Sequence, residues 1–330
     1  MSGALSAAAF IAFALAFLPL LLHLRSRNIP LLSIIAWIAV SDLVYGINSV
    51  IWDENIDIVA SPWCDITTKL KIGANIALPA STLVLALRVY RITLQKGRLG
   101  MPSELGVCLG FPFIIMVLHT IVQGHRFDVY EDFGCTPAIF VSIPSIIILD
   151  IPPLVASAVA LIYCSLALVN FAKQRRAFLL LTRQPHSSQI TKGGYLRLVL
   201  LVLVLGVWNA LVIALTRASA YKNGLLPWTN WDDVHADFWL VSAYPLALVP
   251  ADILGWLYFS WAAVPISSFF VFGFFGFGGD TTGTYRAVGA WFNASMLRRG
   301  TGFQSTVASH GSEASQADLT KDHHHGRSVA

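Results

Sequence analysis

Ionisable residues lie inside the long apolar stretches of this 330-residue chain, among them the carboxylates Asp42, Asp150 and Asp252 and the amines Lys69 and Lys71. A charge at the centre of a bilayer costs about 2.5–3.5 kcal/mol even on the mildest scale, so each must face protein, water or a partner. Residues of this kind can move protons, couple ions to transport, or join helices as protonated carboxyls. Lys69 can pair with a carboxylate or equally extend to the membrane interface.

A second set of ionisable residues is basic and lies at the ends of three apolar stretches. Arg88 and Arg91 follow the third stretch, Arg175 and Arg176 follow the fifth, and Arg197 begins the sixth. Such a surface can bind a cytoplasmic partner when helices move. The general excess of Lys and Arg on the inner side of membrane proteins explains it equally well.

The patterns typical of catalysis are absent from the sequence. There is no phosphate-binding Walker loop, no His-Glu-x-x-His and no Gly-x-Ser-x-Gly. His23, His119 and His125 are not at metal-ligand spacing. The stretch 238–261 contains no lysine that could hold retinal. We therefore expect no enzyme, no cofactor, no metal and no nucleic-acid partner.

The composition explains how these residues must be positioned. The chain is 56% hydrophobic and 12% charged, whereas soluble domains carry about 25% charged residues. So few charges cannot cover the surface of a soluble fold of this size. The class is therefore a membrane protein with several spans, each needing about 20 apolar residues.

The predicted fold is an all-α, seven-transmembrane helix bundle. The spans are placed at residues 4–24, 31–52, 65–87, 105–123, 145–171, 196–216 and 238–261. We interpret the first as a retained span and not as a cleaved leader. Prolines inside three of the spans predict kinks: Pro79 in the third, Pro152 and Pro153 in the fifth, and Pro245 and Pro250 in the seventh.

The distribution of basic residues gives this bundle a direction. If the first loop lies inside, 17 of the 22 Lys and Arg residues fall on the cytoplasmic side. Basic residues in short loops favour the cytoplasm, so the N-terminus is predicted outside and the C-terminus in the cytoplasm. Six or eight spans would break this alternation.

The outer loops are predicted to be acidic and aromatic. Three groups of carboxylates fall there, at 53–57, 128–132 and 232–237, with tryptophans beside them. They form either the rim of a binding site or an interfacial aromatic belt. Cys64 and Cys135 lie on the same side, in an oxidising compartment, and we predict a disulfide between them.

Three regions are predicted along the chain. Residues 1–268 form the seven-transmembrane domain, and 269–299 form a Gly/Phe-rich juxtamembrane segment with an amphipathic surface helix. Residues 300–330 are rich in small polar residues and are predicted to be a disordered cytoplasmic tail.

Several local motifs resemble those of one receptor family. They are His23-Leu24-Arg25-Ser26-Arg27-Asn28-Ile29-Pro30, Asn48-Ser49-Val50-Ile51-Trp52, Trp63-Cys64-Asp65-Ile66-Thr67-Thr68-Lys69, Pro79-Ala80, Arg88-Val89-Tyr90, Arg126-Phe127-Asp128-Val129-Tyr130-Glu131-Asp132-Phe133-Gly134-Cys135, Trp261, Pro265-Ile266-Ser267-Ser268-Phe269 and Phe272-Gly273. The chain is similar over about residues 5–290 to the fungal a-factor-type receptors for lipopeptide mating pheromones, which are class D G-protein-coupled receptors.

This resemblance implies a function in the plasma membrane. The ligand would be a farnesylated peptide pheromone, and the inner partner a heterotrimeric G protein of the mating response. Membrane lipids are further partners, and a homodimer is left open. The ligand contacts expected on this basis are Asn48, Trp52, Trp63, Lys69, Tyr130, Glu131, Asp132 and Trp239. The expected G-protein contacts are Arg88, Arg91, Arg175, Arg176 and Arg197.

The alternative is an ion-coupled secondary transporter of a small solute. Intramembrane carboxylates and proline-broken helices would suit it. Against it, the two halves of the sequence show no internal repeat. A scaffold or lipid-binding membrane protein without either activity is a third interpretation.

Overall fold

The computed structural model describes residues 2–24, 28–97, 99–173, 192–222 and 224–276. Seven long helices run through this part of the chain, and each is long and apolar enough to cross a membrane. They are α1 (Ser2–His23), α2 (Ile29–Ile51), α3 (Ser61–Thr93), α4 (Met101–Val122), α5 (Ile143–Lys173), α6 (Lys192–Ala220) and α7 (Ala251–Phe275). The seven-helix bundle predicted from the sequence is confirmed.

Prolines mark the start of four of these helices. Pro30, Pro62, Pro102 and Pro144 lie in the first turns of α2, α3, α4 and α5. The backbone N–H that proline lacks has no helical partner at this position, and the fixed φ of proline already suits a helix. The sequence therefore sets these starts locally.

A proline inside α4 is accommodated by its neighbour α2. A π-helical turn at 106–110 precedes Pro112. Because Pro112 has no N–H, the carbonyl of Cys108, four residues earlier, loses its usual helical donor. The Ser33 hydroxyl and the Trp37 indole of α2 both donate to that carbonyl, at 3.3 and 3.4 Å. A helix irregularity is thus converted into a contact between two helices.

Helix α3 lies at the centre of the bundle. In the most apolar stretch of each helix, 72% of the residues are buried in α3 and 61% in α2. In each of the other five helices, no more than 39% of that stretch is buried. α3 packs against α2, α4, α5 and α6, while α1 and α7 pack on α2 and on each other. Side chains of α3 are therefore best placed to line any internal cavity.

A small sheet covers one end of the bundle. β1 (Phe127–Tyr130) pairs antiparallel with β2 (Gly134–Thr136) and parallel with β3 (Val241–Tyr244). We call this the sheet end; α2 ends there and α3 begins there. The other end, where α3 ends near Arg88, we call the basic end.

The largest apolar core lies toward the basic end. It joins side chains from six helices, among them Ile35 of α2, Leu85 of α3, Val202 of α6 and Val271 of α7. Toward the sheet end the helices enclose a cavity. The bundle is therefore solid at one end and hollow at the other.

The predicted seventh span, 238–261, is wrong in position. Helix α7 runs from Ala251 to Phe275. Residues 241–244 instead pair with β1, and Pro250 directly precedes the helix, so Pro245 and Pro250 kink nothing. Strand pairing depends on a segment more than a hundred residues away, which hydropathy along the chain does not report.

Two further expectations change with this shift. Asp252, predicted within the membrane, lies in the first turn of α7, is exposed and pairs with Lys222 at 3.2 Å. Helix α7 continues past the domain boundary drawn at 268, as far as Phe275, and so takes in the first residues of the Phe/Gly segment. The predicted surface helix and the tail 300–330 lie outside the described residues.

Candidate functional site

The sheet end is closed by a loop that a disulfide fixes to α3. Cys64, in the first turn of α3, bonds to Cys135 in β2, with their Cα atoms 5.3 Å apart. Phe127 and Val129 of β1 pack on this disulfide and on Trp52. Side chains alternate along a strand, so Asp128 and Tyr130 point the other way, into the bundle.

Below this sheet lies a cavity of about 440 Å³. Helices α2, α3, α5, α6 and α7 form its walls, and β1 and the segment after β2 lie above it. Its apolar wall includes Leu78, Leu149, Val212, Ile253 and Trp256. Its polar lining includes Lys71, Asn75, Asp128, Asn209 and Arg217. Such a cavity suits a ligand with a large apolar part and a few polar groups.

Lys71 is the cation of α3 that faces this cavity. Its Nζ donates to the Cys135 carbonyl at 2.5 Å and lies 4.9 Å from the centre of the Tyr45 ring. The Tyr45 ring in turn stacks on Trp261, with 6.0 Å between ring centres. The ammonium therefore sits between a backbone carbonyl above it and an aromatic wall beside it.

The ceiling of the cavity contains Asp128 and Tyr130. His125 Nε2 lies 2.6 Å from Asp128 Oδ1. Burial raises the pKa of the Asp128 carboxyl, and the contact with His125 opposes this shift. Burial, with smaller contributions from Asp128 and Tyr244, raises the pKa of Tyr130 to about 12. Tyr130 is therefore neutral and can donate a hydrogen bond at any physiological pH.

Two carboxylates within the helices each join a pair of helices. Asp42 of α2 is fully buried and accepts a hydrogen bond from the Ser268 hydroxyl of α7. Asp150 of α5 lies 2.7 Å from Arg217 Nε of α6. Both are placed as links within the bundle.

Of the eight residues predicted to contact a ligand, Tyr130 lines the cavity. Asn48 accepts a bond from the Trp63 indole at 2.8 Å, and the Trp52 indole donates to the Asp57 carbonyl at 2.9 Å. These three side chains thus hold the loops of the sheet end together. Ligand contact by them stays a prediction.

The remaining predicted contacts also lie away from the cavity. Lys69 Nζ lies 2.9 Å from His119 Nδ1 and donates to Gln123 Oε1 at 2.7 Å, both at the end of α4. Glu131 accepts from the Leu246 N–H, and Asp132 from the Glu54 N–H, at 2.8 and 3.1 Å. Trp239 is 77% exposed and 5.9 Å from the Arg126 guanidinium.

Sequence reasoning chose Lys69 and missed Lys71. Two residues apart on a helix means about 200° of rotation, so the two lysines face nearly opposite directions. Lys71, Asn75 and Leu78 follow each other at steps of four and three and share one face of α3. That spacing was the available signal, but it does not tell which face of a central helix borders a cavity.

At the basic end, Arg88 is only 6% exposed. Its Nη1 donates to Asn28 Oδ1 at 2.6 Å and lies 3.9 Å from Glu104 Oε2 of α4. Arg91 donates to the Gly97 carbonyl at 2.8 Å, and Arg197 is exposed at the start of α6. Arg175 and Arg176 lie outside the described residues.

The described residues contain no candidate metal-binding site. No group of three His, Cys, Asp or Glu side chains in this part of the chain could hold a metal ion. Of the charged groups of the cavity, Arg217 pairs across helices with Asp150, Asp128 contacts the nearby His125, and Lys71 is bonded to a carbonyl. The arrangement is that of a binding cavity.

Comparison with known proteins identifies relatives of one kind. The sequence model described as "Pheromone A receptor" matches residues 4–293. The chain is 42% identical to "Pheromone B beta 1 receptor" of Schizophyllum commune, over 85% of this chain and 53% of that protein. It is 29% identical to "Pheromone B alpha 2 receptor" of the same fungus, over 91% and 47%. It is 27% identical to "Pheromone receptor 1" of Mycosarcoma maydis, over 84% and 81%. The chain spans about half the length of the Schizophyllum relatives.

Proposed function

The chain belongs to the pheromone A receptor family, and from this we propose that it is a G-protein-coupled receptor that binds a farnesylated peptide mating pheromone. Binding would activate a heterotrimeric G protein and start the mating response. The observation that carries the proposal is a family match covering all seven spanning helices.

We propose that the sheet end faces outward from the plasma membrane. The Cys64–Cys135 disulfide supports this, because disulfides persist in oxidising compartments. The basic residues of the alternate loops support it too, since such residues favour the cytoplasm. The N-terminus is then outside and the C-terminus in the cytoplasm.

The cavity under the sheet is the proposed pheromone site. Its apolar wall suits a farnesyl chain, and its polar ceiling suits a peptide. Its volume of about 440 Å³ lies in the usual range for ligand pockets, about 300–1,000 Å³. A whole lipopeptide is larger, so part of the peptide would lie outside, along the loops where Glu131, Asp132 and Trp239 stand.

The basic end is the proposed G-protein surface, formed by Arg88, Arg91, Arg175, Arg176 and Arg197. Arg88 is buried and held by Asn28 and Glu104. It becomes available to a partner only if these contacts open. A ligand can drive such opening only by binding the open state more tightly than the closed one.

The transporter alternative has no support among the three relatives named above, each of which is described as a pheromone receptor. Farnesylation of the ligand belongs to the proposal, supported by the family resemblance and by the apolar wall of the cavity. Pairing of two receptors is left open and forms no part of the proposal.

The proposal is tested by expressing the chain in a receptor-null yeast strain with a mating reporter and adding a panel of farnesylated peptides. Ala220 lines the cavity and Ala218 does not, although both are exposed alanines in the last turn of α6. We expect Ala220→Trp to raise the half-maximal peptide concentration by about tenfold or more. Ala218→Trp is the matched control and should respond as wild type.

Two outcomes would contradict the proposal. A receptor present at the cell surface that answers no peptide in the panel would count against the pheromone. Equal responses from Ala220→Trp and Ala218→Trp would count against this cavity as the site.

A further inference from the structure

We infer that Lys71 binds an acidic group of the ligand, and so selects ligands in which a carboxylate stands close to the apolar chain. The inference rests on the proposed function, since it takes the cavity below the sheet as the ligand site. It adds the chemical class of the ligand group and the residue that recognises it.

The first argument is the incomplete environment of Lys71. An ammonium carries three donors. The contacts of its Nζ are the Cys135 carbonyl at 2.5 Å and the face of the Tyr45 ring at 4.9 Å. Neither partner carries a negative charge. Among the described residues, no ion pair includes Lys71.

The second argument is the charge balance of the cavity lining. Arg217 is paired with Asp150 at 2.7 Å, and the Asp128 carboxylate lies 2.6 Å from His125 Nε2. Neither carboxylate contacts Lys71, which is the basic side chain of the described lining that touches no acidic group. A buried charge is costly unless it is paired, so a ligand that carries one carboxylate would complement this cavity.

The third argument is the position of Lys71 between two kinds of surface. Above it lies β2, which provides the Cys135 carbonyl. Beside it lies the stacked pair Tyr45 and Trp261, and one turn further along α3 stands Asn75. A carboxylate bound here would have its apolar neighbour against the aromatic wall. The site would therefore fit a ligand whose carboxylate lies next to its lipid chain.

Two sources could supply that carboxylate: an acidic side chain of the peptide or a free C-terminal carboxylate. Two sets of synthetic S-farnesyl tetrapeptides distinguish them. In the first set, Asp is compared with Asn at each of the three positions before an S-farnesylcysteine methyl ester. In the second, a free C-terminal acid is compared with its methyl ester on an otherwise neutral peptide.

Affinities would be measured on the full chain in lipid nanodiscs, for wild type, Lys71→Gln, Lys71→Arg and Lys69→Gln. Gln at 71 can still donate to the Cys135 carbonyl but carries no charge. Lys69→Gln removes the same charge from the side of α3 that faces α4. Lys71→Met serves as a second neutral variant if Lys71→Gln does not purify as folded receptor.

We expect wild type to bind at least one acidic probe about tenfold more tightly than its neutral partner. Lys71→Arg and Lys69→Gln should keep that preference, and Lys71→Gln should lose it. Which set shows the preference identifies the source of the carboxylate.

The inference is overturned if wild type binds the probes without any acid preference, or if Lys71→Gln keeps it. A wild-type receptor that binds none of the probes overturns the proposed function and this inference with it. The two failures are therefore distinguishable.

Discussion

At the scale of single residues, two ion pairs on the same side of the bundle differ in burial. Arg217 lies 2.7 Å from Asp150, whose side chain is 5% exposed. Lys222 lies 3.2 Å from Asp252, and both side chains are more than half exposed. The same kind of contact should therefore contribute very differently to stability, because water screens the second pair much more than the first.

We predict that Arg217→Gln destabilises the receptor by about 3–5 kcal/mol, the usual cost of leaving one partner of a buried pair without its counterion. The matched variant is Lys222→Gln, which should unfold as wild type does. Thermal unfolding of detergent-purified receptor measures both. Similar melting temperatures for the two variants would show that Asp150 does not depend on Arg217.

Also at the scale of single residues, Lys69 and Lys71 differ in the neighbours that they contact. Lys69 contacts His119 and Gln123 of α4, whereas Lys71 faces the cavity. The two side chains are chemically identical and nearly adjacent. Their roles differ because a helix turns them toward different neighbours.

At the scale of elements, the loop between β1 and β2 depends on one glycine. Gly134 has φ +67°, and a Cβ there would lie 2.6 Å from Trp52 Cε3 and 2.8 Å from Asn48 Cβ. The backbone therefore needs glycine for two reasons, its conformation and the closeness of α2. This contact positions the sheet that closes the cavity.

Three glycine substitutions separate these reasons. Gly134→Ala adds crowding to the left-handed backbone, whose cost alone is about 1–2 kcal/mol. Gly224 also has a positive φ, +86°, but nothing lies within 4 Å of a Cβ there, and Gly106 has neither constraint. We expect the loss of stability to follow the order Gly134→Ala, Gly224→Ala, Gly106→Ala. Melting temperatures in this order would support the argument. A Gly134→Ala receptor as stable as Gly224→Ala would show that Trp52 and Asn48 yield easily.

At the scale of the whole molecule, the sheet end with its cavity and the basic end lie at opposite ends of the central helix α3. Lys71 faces the cavity near the start of α3, and Arg88 is held near its end by Asn28 and Glu104. A shift of α3 or α4 that follows ligand binding can therefore reach Arg88. The described conformation, with Arg88 buried, is the uncoupled one under the proposed function.

We predict that Glu104→Gln raises signalling without ligand by about fivefold, the lower end of usual coupling energies. Loss of the carboxylate 3.9 Å from Arg88 weakens the closed state and leaves the rest of the bundle unchanged. The measurement is basal nucleotide exchange on the G protein, at matched receptor amounts. Asp53→Asn, which removes an exposed carboxylate at the sheet end, should stay at the wild-type level. Basal exchange in Glu104→Gln equal to that of wild type would exclude Glu104 as a restraint on Arg88.

Much of the fold follows from the sequence, because the features involved are local. Apolar length sets six of the seven spans to within about six residues at each end. Pro30, Pro62, Pro102 and Pro144 mark helix starts locally. The family can also be recognised from the sequence alone, since its motifs are short runs of neighbouring residues.

Tertiary contacts decided where α7 begins and which residues line the cavity. Residues 241–244 leave the predicted span because β1, distant in sequence, offers them a strand to pair with. Asn48 and Trp52 turn inward because the disulfide-fixed loop covers them. Lys71 faces the cavity because α3 is surrounded by four helices with space on one side. Hydropathy measures transfer into a membrane residue by residue, whereas pairing and packing are set by partners that only the folded chain brings together.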